Sequence, residues 1–154
     1  MRFRISLAQH DDIAPWLRLA EEVAPLFGPV PGFEEVLTRK ISQRQAHCAR
    51  RDAENSSFLG GVIVGGNGKE YAIRWLAVFC DFHRLGIGKL LLEAAISTTP
   101  PESSVYVDTF VAGSPGADAA RRLYECCGFF PADIWREGDV VRQRYLRRPY
   151  SVLP

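Results

Sequence analysis

The residues of this chain whose types could carry chemistry are four cysteines, three histidines and two closely spaced glycines. Cys48 follows His47, and Cys80 stands three residues before His83, which raises the question of a zinc site. Neither spacing matches a common ligand pattern and there is no CxxC pair, so no metal is expected. Adjacent Cys126 and Cys127 cannot readily bridge each other. No cysteine is paired with a base in a motif. Reduced, mostly buried thiols that fill space are therefore expected rather than nucleophiles. Arginines gather near the end, at Arg142, Arg144, Arg147 and Arg148. On a strand, Arg142 and Arg144 share one face while Val141 and Tyr145 take the other, the pattern of a solvated sheet face.

The glycines are more informative. In Trp75-Leu-Ala-Val-Phe-Cys-Asp-Phe-His-Arg-Leu-Gly-Ile-Gly-Lys-Leu-Leu-Leu92 a strand ends, a loop follows, and Gly86 and Gly88 open a helix. Unpaired N–H groups at a helix start favour anionic oxygens, and glycine lets a phosphate approach without a Cβ in the way. Each glycine inside a helix costs roughly 0.5–1 kcal/mol against alanine, so two in the opening turn suggest a reason beyond folding. A dinucleotide fingerprint would need a third glycine where Leu91 stands. A P-loop would need glycine at His83 and serine or threonine at Leu90. The pyrophosphate loop of acetyl-CoA enzymes fits.

On these residues the sequence resembles the GNAT superfamily of N-acetyltransferases. Its signature is Gln or Arg, two residues, Gly, one residue, then Gly or Ala, and here it reads His83-Arg84-Leu85-Gly86-Ile87-Gly88. Leu76-Ala77-Val78 stands at the usual distance before it. A second family feature, Ala-x-x-Leu-Tyr-Glu-x-x-Gly-Phe, appears from Ala120 to Phe129 in the expected order and separation. His83 replaces the usual Gln or Arg, with Arg84 beside it to supply the charge. Ala117 stands where an asparagine is often found, and Ser114 is the candidate to take over its contact.

The resemblance implies acetyl-CoA as co-substrate and direct attack by an amine on the thioester, without an acyl-enzyme. The thioester would lie against the strand end at Val78, Phe79 and Cys80, and His83 and Arg84 would belong to the same cofactor site. The pyrophosphate would rest on the N–H groups of Leu85, Gly86, Ile87, Gly88 and Lys89. Tyr124 matches the family's proton-donating tyrosine, and a phenol of pKa about 10 can protonate a leaving thiolate. No general base belongs to a motif; Glu70, Asp108, His10 and Glu22 are all candidates, as is a water relay. The apolar loop from Pro25 to Gly32, with Trp16 and Phe27 nearby, occupies the region that shapes the acceptor site in the family it resembles, and these residues either form a preformed acceptor wall or pack in the core. Arg74 shares a strand face with Glu70 and Ala72, and the resemblance turns the Ala72 position toward the acceptor. Arg74 therefore either pairs with an internal carboxylate such as Glu70 or binds an acid group on the acceptor.

The elements that must position these residues follow from periodicity. Arg2–Leu7 alternates as a strand. Asp11 and Asp12 offer a cap for a helix carrying Ile13, Trp16, Leu17, Ala20 and Ala24, which the segment from Pro25 to Gly32 should break. A second helix starts near Phe33 and buries Phe33, Val36, Leu37 and Ile41. Strands are expected over Gln45–Arg50, Phe58–Val64 and Tyr71–Phe79, the last two joined by a hairpin whose positive φ angles fall on Asn67 and Gly68. A helix buries Ile87, Leu90, Leu91, Ala94 and Ala95, then come a strand at Val105–Val111, a helix at Asp118–Cys127 and a strand at Val140–Leu146. The order β-α-α-β-β-β-α-β-α-β describes a GNAT-like α/β fold, a mixed central sheet flanked by helices, as one domain over residues 1–154.

The chain has 154 residues, 47% hydrophobic and 24% charged, with a net charge of +1. That balance is globular and gives no strong field for nucleic acid. No eighteen-residue apolar run occurs and the start Met1-Arg-Phe-Arg-Ile-Ser holds no apolar stretch long enough for a signal peptide, so no membrane association and a cytoplasmic location are expected. The expected acceptor is a small primary amine or a peptide amine, a small amino-acid-like molecule being favoured by the Arg74 argument, with a homodimer allowed. A non-catalytic acyl-CoA-binding domain of the same fold is the alternative.

Overall fold

The computed structural model describes residues 2–28, 30–53 and 56–149. Pro29, inside the segment expected to break the first helix, lies outside them. Among the described residues seven strands and four α-helices form a mixed α/β fold, with strand order β1-β2-β3-β4-β5-β7-β6. The chain divides into two compact units, residues 1–64 with 75–95 and residues 65–74 with 96–154.

In the first unit, β1 (Phe3–Leu7) pairs antiparallel with β2 (Ala46–Arg51), and β2 with β3 (Phe58–Asn67). Helix α1 (Ile13–Phe27) buries Trp16 and Leu19, and α2 (Phe33–Ser42) buries Leu37. With Phe58, Ile63, Trp75 and Ala77 these side chains form one apolar core. Its centre is aromatic: the Trp16 ring lies 5.3 Å from Phe58 and 5.9 Å from Trp75, and Phe27 and Phe33 stand 5.7 and 5.5 Å from Trp75. Such pairs add about 0.5–1.5 kcal/mol each beyond area burial. Trp16 packs against the bare backbone of Gly61, where a methyl group would stand 2.5 Å from its ring carbons. Gly61→Ala is therefore expected to destabilise the fold by about 1–3 kcal/mol, as overpacking does. A lower urea midpoint at unchanged slope would register it.

The end of α1 falls inside the segment expected to break it, whereas the expected helix cap needs correction. The α1 helix runs two residues past Pro25 and stops at Phe27, where Gly28 takes φ +83° and bonds back to Ala24 O at 2.8 Å. Proline removes one i→i−4 bond, and here it does so close to a terminus that ends anyway. Asp12 makes no side-chain cap on α1. Its buried carboxylate instead accepts the Gln9 N–H (2.8 Å), the Arg50 guanidinium and the Cys48 thiol (3.5 Å), closing a 3-10 turn at His10–Asp12.

Strand β4 (Glu70–Val78) leads to α3 (Ile87–Ser97), whose buried positions are Ile87, Leu91, Leu92 and Ala95. Leu90, expected inside, is 39% exposed. The β3–β4 turn falls on Gly68 and Lys69, with Gly68 at φ +64°, while Asn67 stays in the strand.

In the second unit, residues Glu70–Ile73 of β4 run parallel to β5 (Ser104–Phe110), from Glu70↔Ser104 to Ile73↔Val107. Strand β7 (Val140–Arg147) pairs antiparallel with β5. Helix α4 (Ala117–Cys126) contacts β5. A seventh strand absent from the expected order, β6 (Phe130–Glu137), pairs antiparallel with β7 at the sheet edge. Seven of its eight residues are exposed, so no apolar alternation marks it in the sequence. Pro131 is tolerated there because an edge strand has a free side.

Candidate active site

The strand end at Val78 is held on three sides by the first unit. The Phe79 N–H donates to Leu59 O at 2.9 Å, and the Phe79 ring meets Phe58 edge-on at 6.2 Å. His83 Nε2 lies 2.7 Å from Val78 O, so it donates and its tautomer is fixed. The Cys80 N–H donates to Glu22 Oε2 at 2.9 Å, a bond that reaches from α1 to the loop.

The loop then turns sharply. Arg84 sits at φ +64° and Gly86 at φ +82°. A non-glycine residue in that region is strained, and such strain gathers at ligand-holding loops. Leu90 N–H closes the first helical bond, to Gly86 O at 3.2 Å. The N–H groups before it lack an intrahelical acceptor by the geometry of any helix start. A Cβ on Gly86 would meet nothing within 4 Å, so glycine is required here by backbone conformation, and the space beside it is open. Leu85 and Lys89 are exposed, Gly88 is half-buried and Ile87 is buried. These features fit an anionic group resting on the α3 start.

Tyr124 is 6% exposed on α4, its ring 5.6 Å from Phe129 and 5.9 Å from Tyr145. Burial, with the Cys127 charge adding to it, pushes its phenol up, so it remains protonated at neutral pH. Ser114 lies in the loop before α4, where its N–H bonds Val111 O and its carbonyl accepts the Ala117 N–H.

Arg74 is exposed, with its guanidinium over the Tyr106 ring (5.9 Å) and 3.4 Å from the Tyr106 hydroxyl. Arg144 lies closer on the same ring, at 4.1 Å, and grips Asp108 through two bonds of 2.9 and 3.0 Å. No carboxylate among the described residues pairs with Arg74, so the internal pair with Glu70 does not form. Arg144, by contrast, is tied into this cluster and is no plain solvated arginine. Burial raises the Asp108 carboxyl, but the Arg144 bonds outweigh it and hold the group below the ordinary carboxylate range. That engagement makes Asp108 a poor base.

Phe27 is half-buried beside Trp75. Trp16 is not available to an acceptor: it is 0% exposed and packs under Gly61. Of the two roles expected for Trp16, acceptor wall and core packing, it takes the second, because the helical face carrying Leu19 and Val23 drives it into the core. The sequence reading did not single out Tyr106, since an aromatic on an alternating strand reads as packing. It named Glu22 only as one of four candidate bases, because the bond to Cys80 spans 58 residues.

The cysteines are less buried than expected. Only Cys48 is buried, Cys127 is intermediate, and Cys80 and Cys126 are exposed; all four are free thiols. Burial, with the Asp12 charge beside it, pushes the Cys48 thiol up to about 11. Near pH 8 its alkylation should be on the order of a hundredfold slower than that of an unperturbed thiol of pKa about 8.5. Time-resolved mass spectrometry with iodoacetamide should find Cys80 and Cys126 labelled first and Cys48 last. Among the described residues no three His, Cys, Asp or Glu side chains are grouped to hold a metal ion. No helix among them is long and apolar enough to cross a membrane.

A mixed sheet whose fourth strand ends in a glycine loop and a helix start has the architecture of the N-acetyltransferases. The model of the Acetyltransferase (GNAT) family matches residues 13–129, and the chain belongs to that family. Solved structures share the fold. Ard1 from Thermoplasma volcanium is 19% identical with a TM-score of 0.76, over 96% of this chain and 97% of that one. The NatC complex bound to Gag peptide and CoA is 19% identical with a TM-score of 0.78, over 96% and 99%. The ribosomal-protein-S18-alanine N-acetyltransferase from Escherichia coli is 21% identical with a TM-score of 0.68, over 99% and 96%. No curated protein sequence matches significantly.

Proposed function

We propose that the chain, as a single domain over residues 1–154, transfers the acetyl group of acetyl-CoA to an amine by direct attack. The observation that carries this reading is the turn from Val78 to Lys89, in a chain of the acetyltransferase family. Gly86 at φ +82° delivers the backbone into α3 with open space beside it. The N–H groups of Leu85 to Lys89 would hold the pyrophosphate, with Arg84 adding charge and Ser114 a further contact. Val78, Phe79 and Cys80 would line the thioester, and His83 keeps that strand end in place. Acetyl-CoA supplies an activated acyl group; the protein must orient the amine and protonate the departing sulfur.

Tyr124 is the proposed proton donor, and its burial supports this by keeping the phenol protonated. The acceptor carries an acid group near its amine, as an amino acid or its analogue does. Arg74 supports this, since its exposed guanidinium has a tyrosine hydroxyl and, among the described residues, no carboxylate for a partner, and its planar fork suits bidentate binding. Phe27 would form the apolar wall of the acceptor site. Four free thiols and the absence of a membrane-length helix among the described residues support a cytoplasmic setting.

Arg74→Leu tests the acceptor. It should raise KM for amino acids on the order of tenfold or more, about 1.4 kcal/mol, and leave acetyl-CoA affinity unchanged. Amines without a carboxylate proving the best substrates, and handled equally by the variant, would refute it.

A further inference from the structure

We propose that Glu22 is the general base of the reaction, a role that rests on the acetyltransferase reading above. The candidate bases named from the sequence are His10, Glu22, Glu70 and Asp108. Asp108 is clamped by two bonds from Arg144. Glu70 opens β4, at the end opposite Val78. His10 lies in the turn that precedes α1. Only Glu22 is brought to the strand end, where its Oε2 accepts the Cys80 N–H at 2.9 Å.

The placement is firm at both ends. Helix α1 is fixed to the core by Trp16 and Leu19, with Val23 packed beside them. Phe79, next to Cys80, is fixed by its bond to Leu59 O and its ring contact with Phe58. The carboxylate between them is exposed, and its second oxygen has no partner among the described residues. Arg18, one helical turn earlier on α1, forms no ion pair with it, and the titratable groups next along the two segments are Glu21 on α1 and Cys80, Asp81 and His83 on the loop. An unneutralised carboxylate beside the thioester position attracts an ammonium and can take its proton.

The step balances as follows. The ammonium gives one proton to Glu22, directly or through one water. The freed nitrogen lone pair forms a bond to the thioester carbon. The carbon–sulfur bond then breaks, the nitrogen loses its second proton to water, and the thiolate takes a proton from Tyr124. The proton on Glu22 returns to Tyr124 through solvent, so the products are the acetamide, the free thiol and one released proton.

Glu22→Gln separates chemistry from structure, because the amide oxygen can still accept the Cys80 N–H while the side chain no longer takes a proton. Thermal melting and acetyl-CoA titration should match wild type. Its kcat/KM should fall on the order of 10²–10⁴-fold. For an amino-acid acceptor, wild-type log kcat/KM should level off below the amine's own pKa, whereas the variant should keep rising with unit slope toward it. Added formate should restore part of the rate in Glu22→Ala. A Glu22→Gln enzyme within twofold of wild type and with the same pH profile would overturn the role of Glu22 alone. Failure of wild type to release thiol with any amine would overturn the acetyltransferase reading, and Glu22's role with it.

Discussion

Replacing Gly86 by valine is expected to weaken acetyl-CoA binding on the order of 100-fold or more, about 2.7 kcal/mol. Gly86 takes φ +82°, a backbone state that costs an L-residue roughly 1–2 kcal/mol, and a β-branched residue more. To escape that strain the loop must shift, and with it the N–H groups from Leu85 to Lys89 that would meet the pyrophosphate. Hydrogen bonds to charged groups contribute about 1.5–3 kcal/mol each, so misaligning even one or two accounts for the loss. The side chain would also project into open space beside the loop, since nothing of the protein stands within 4 Å of a Cβ there. The core side chains of α3 are elsewhere, at Ile87, Leu91, Leu92 and Ala95. Circular dichroism should therefore report a folded protein while calorimetry reports lost binding. An unfolded variant would be replaced by Gly86→Ala, for which the same ordering holds with smaller effect. Unchanged affinity in a folded variant would remove the pyrophosphate from this loop.

Tyr124→Phe carries the second large effect, a fall in kcat on the order of 10²–10⁴-fold with little change in acetyl-CoA affinity. Phenylalanine keeps the ring contacts with Phe129 and Tyr145, so the substitution removes little beyond the hydroxyl. A rate within twofold of wild type, worth only about 0.4 kcal/mol in barrier, would leave Tyr124 a packing residue. Slow but measurable turnover that speeds up with substrates bearing better thiol leaving groups would support the donor role. A poorer leaving group depends more on protonation.

The sequence carried much of the fold because the core-facing elements have strong periods. Trp16 and Ala20 on α1, Phe33 and Leu37 on α2, and the apolar runs of β3 and β4 all announce themselves, as does the glycine turn between β4 and α3. Leu19 and Val23 complete the α1 stripe that the periodicity only partly named. What stayed hidden was structure without an apolar signal. Strand β6 exists because the turn at Gly138 and Asp139 sets it beside β7, and seven of its eight side chains face water. Its hydrophobic pattern is that of a loop.

The site was legible where it depends on backbone and obscure where it depends on long-range side-chain meetings. Gly86 is readable because few residues but glycine adopt its conformation freely. Arg74 was singled out as a charge on an apolar strand, yet its partner proved to be the Tyr106 ring, which no spacing rule connects to it. The Glu22–Cys80 bond joins a helix residue to a loop residue through tertiary packing alone. Trp16 stayed open between two roles because an aromatic near an expected acceptor wall and an aromatic in the core look alike in sequence. Tertiary packing decides between them, and it buries this one against Phe58 and Trp75.

The most direct test of the account is to incubate the full chain with acetyl-CoA and a panel of amines with and without a carboxylate. Thiol release and the mass of the acceptor are followed together. The account predicts thiol release that depends on the amine, equal molar amounts of acetylated acceptor, and preference for acceptors bearing a carboxylate. Tight acetyl-CoA binding with no amine-dependent thiol release would contradict it, and would make the chain an acyl-CoA-binding protein instead.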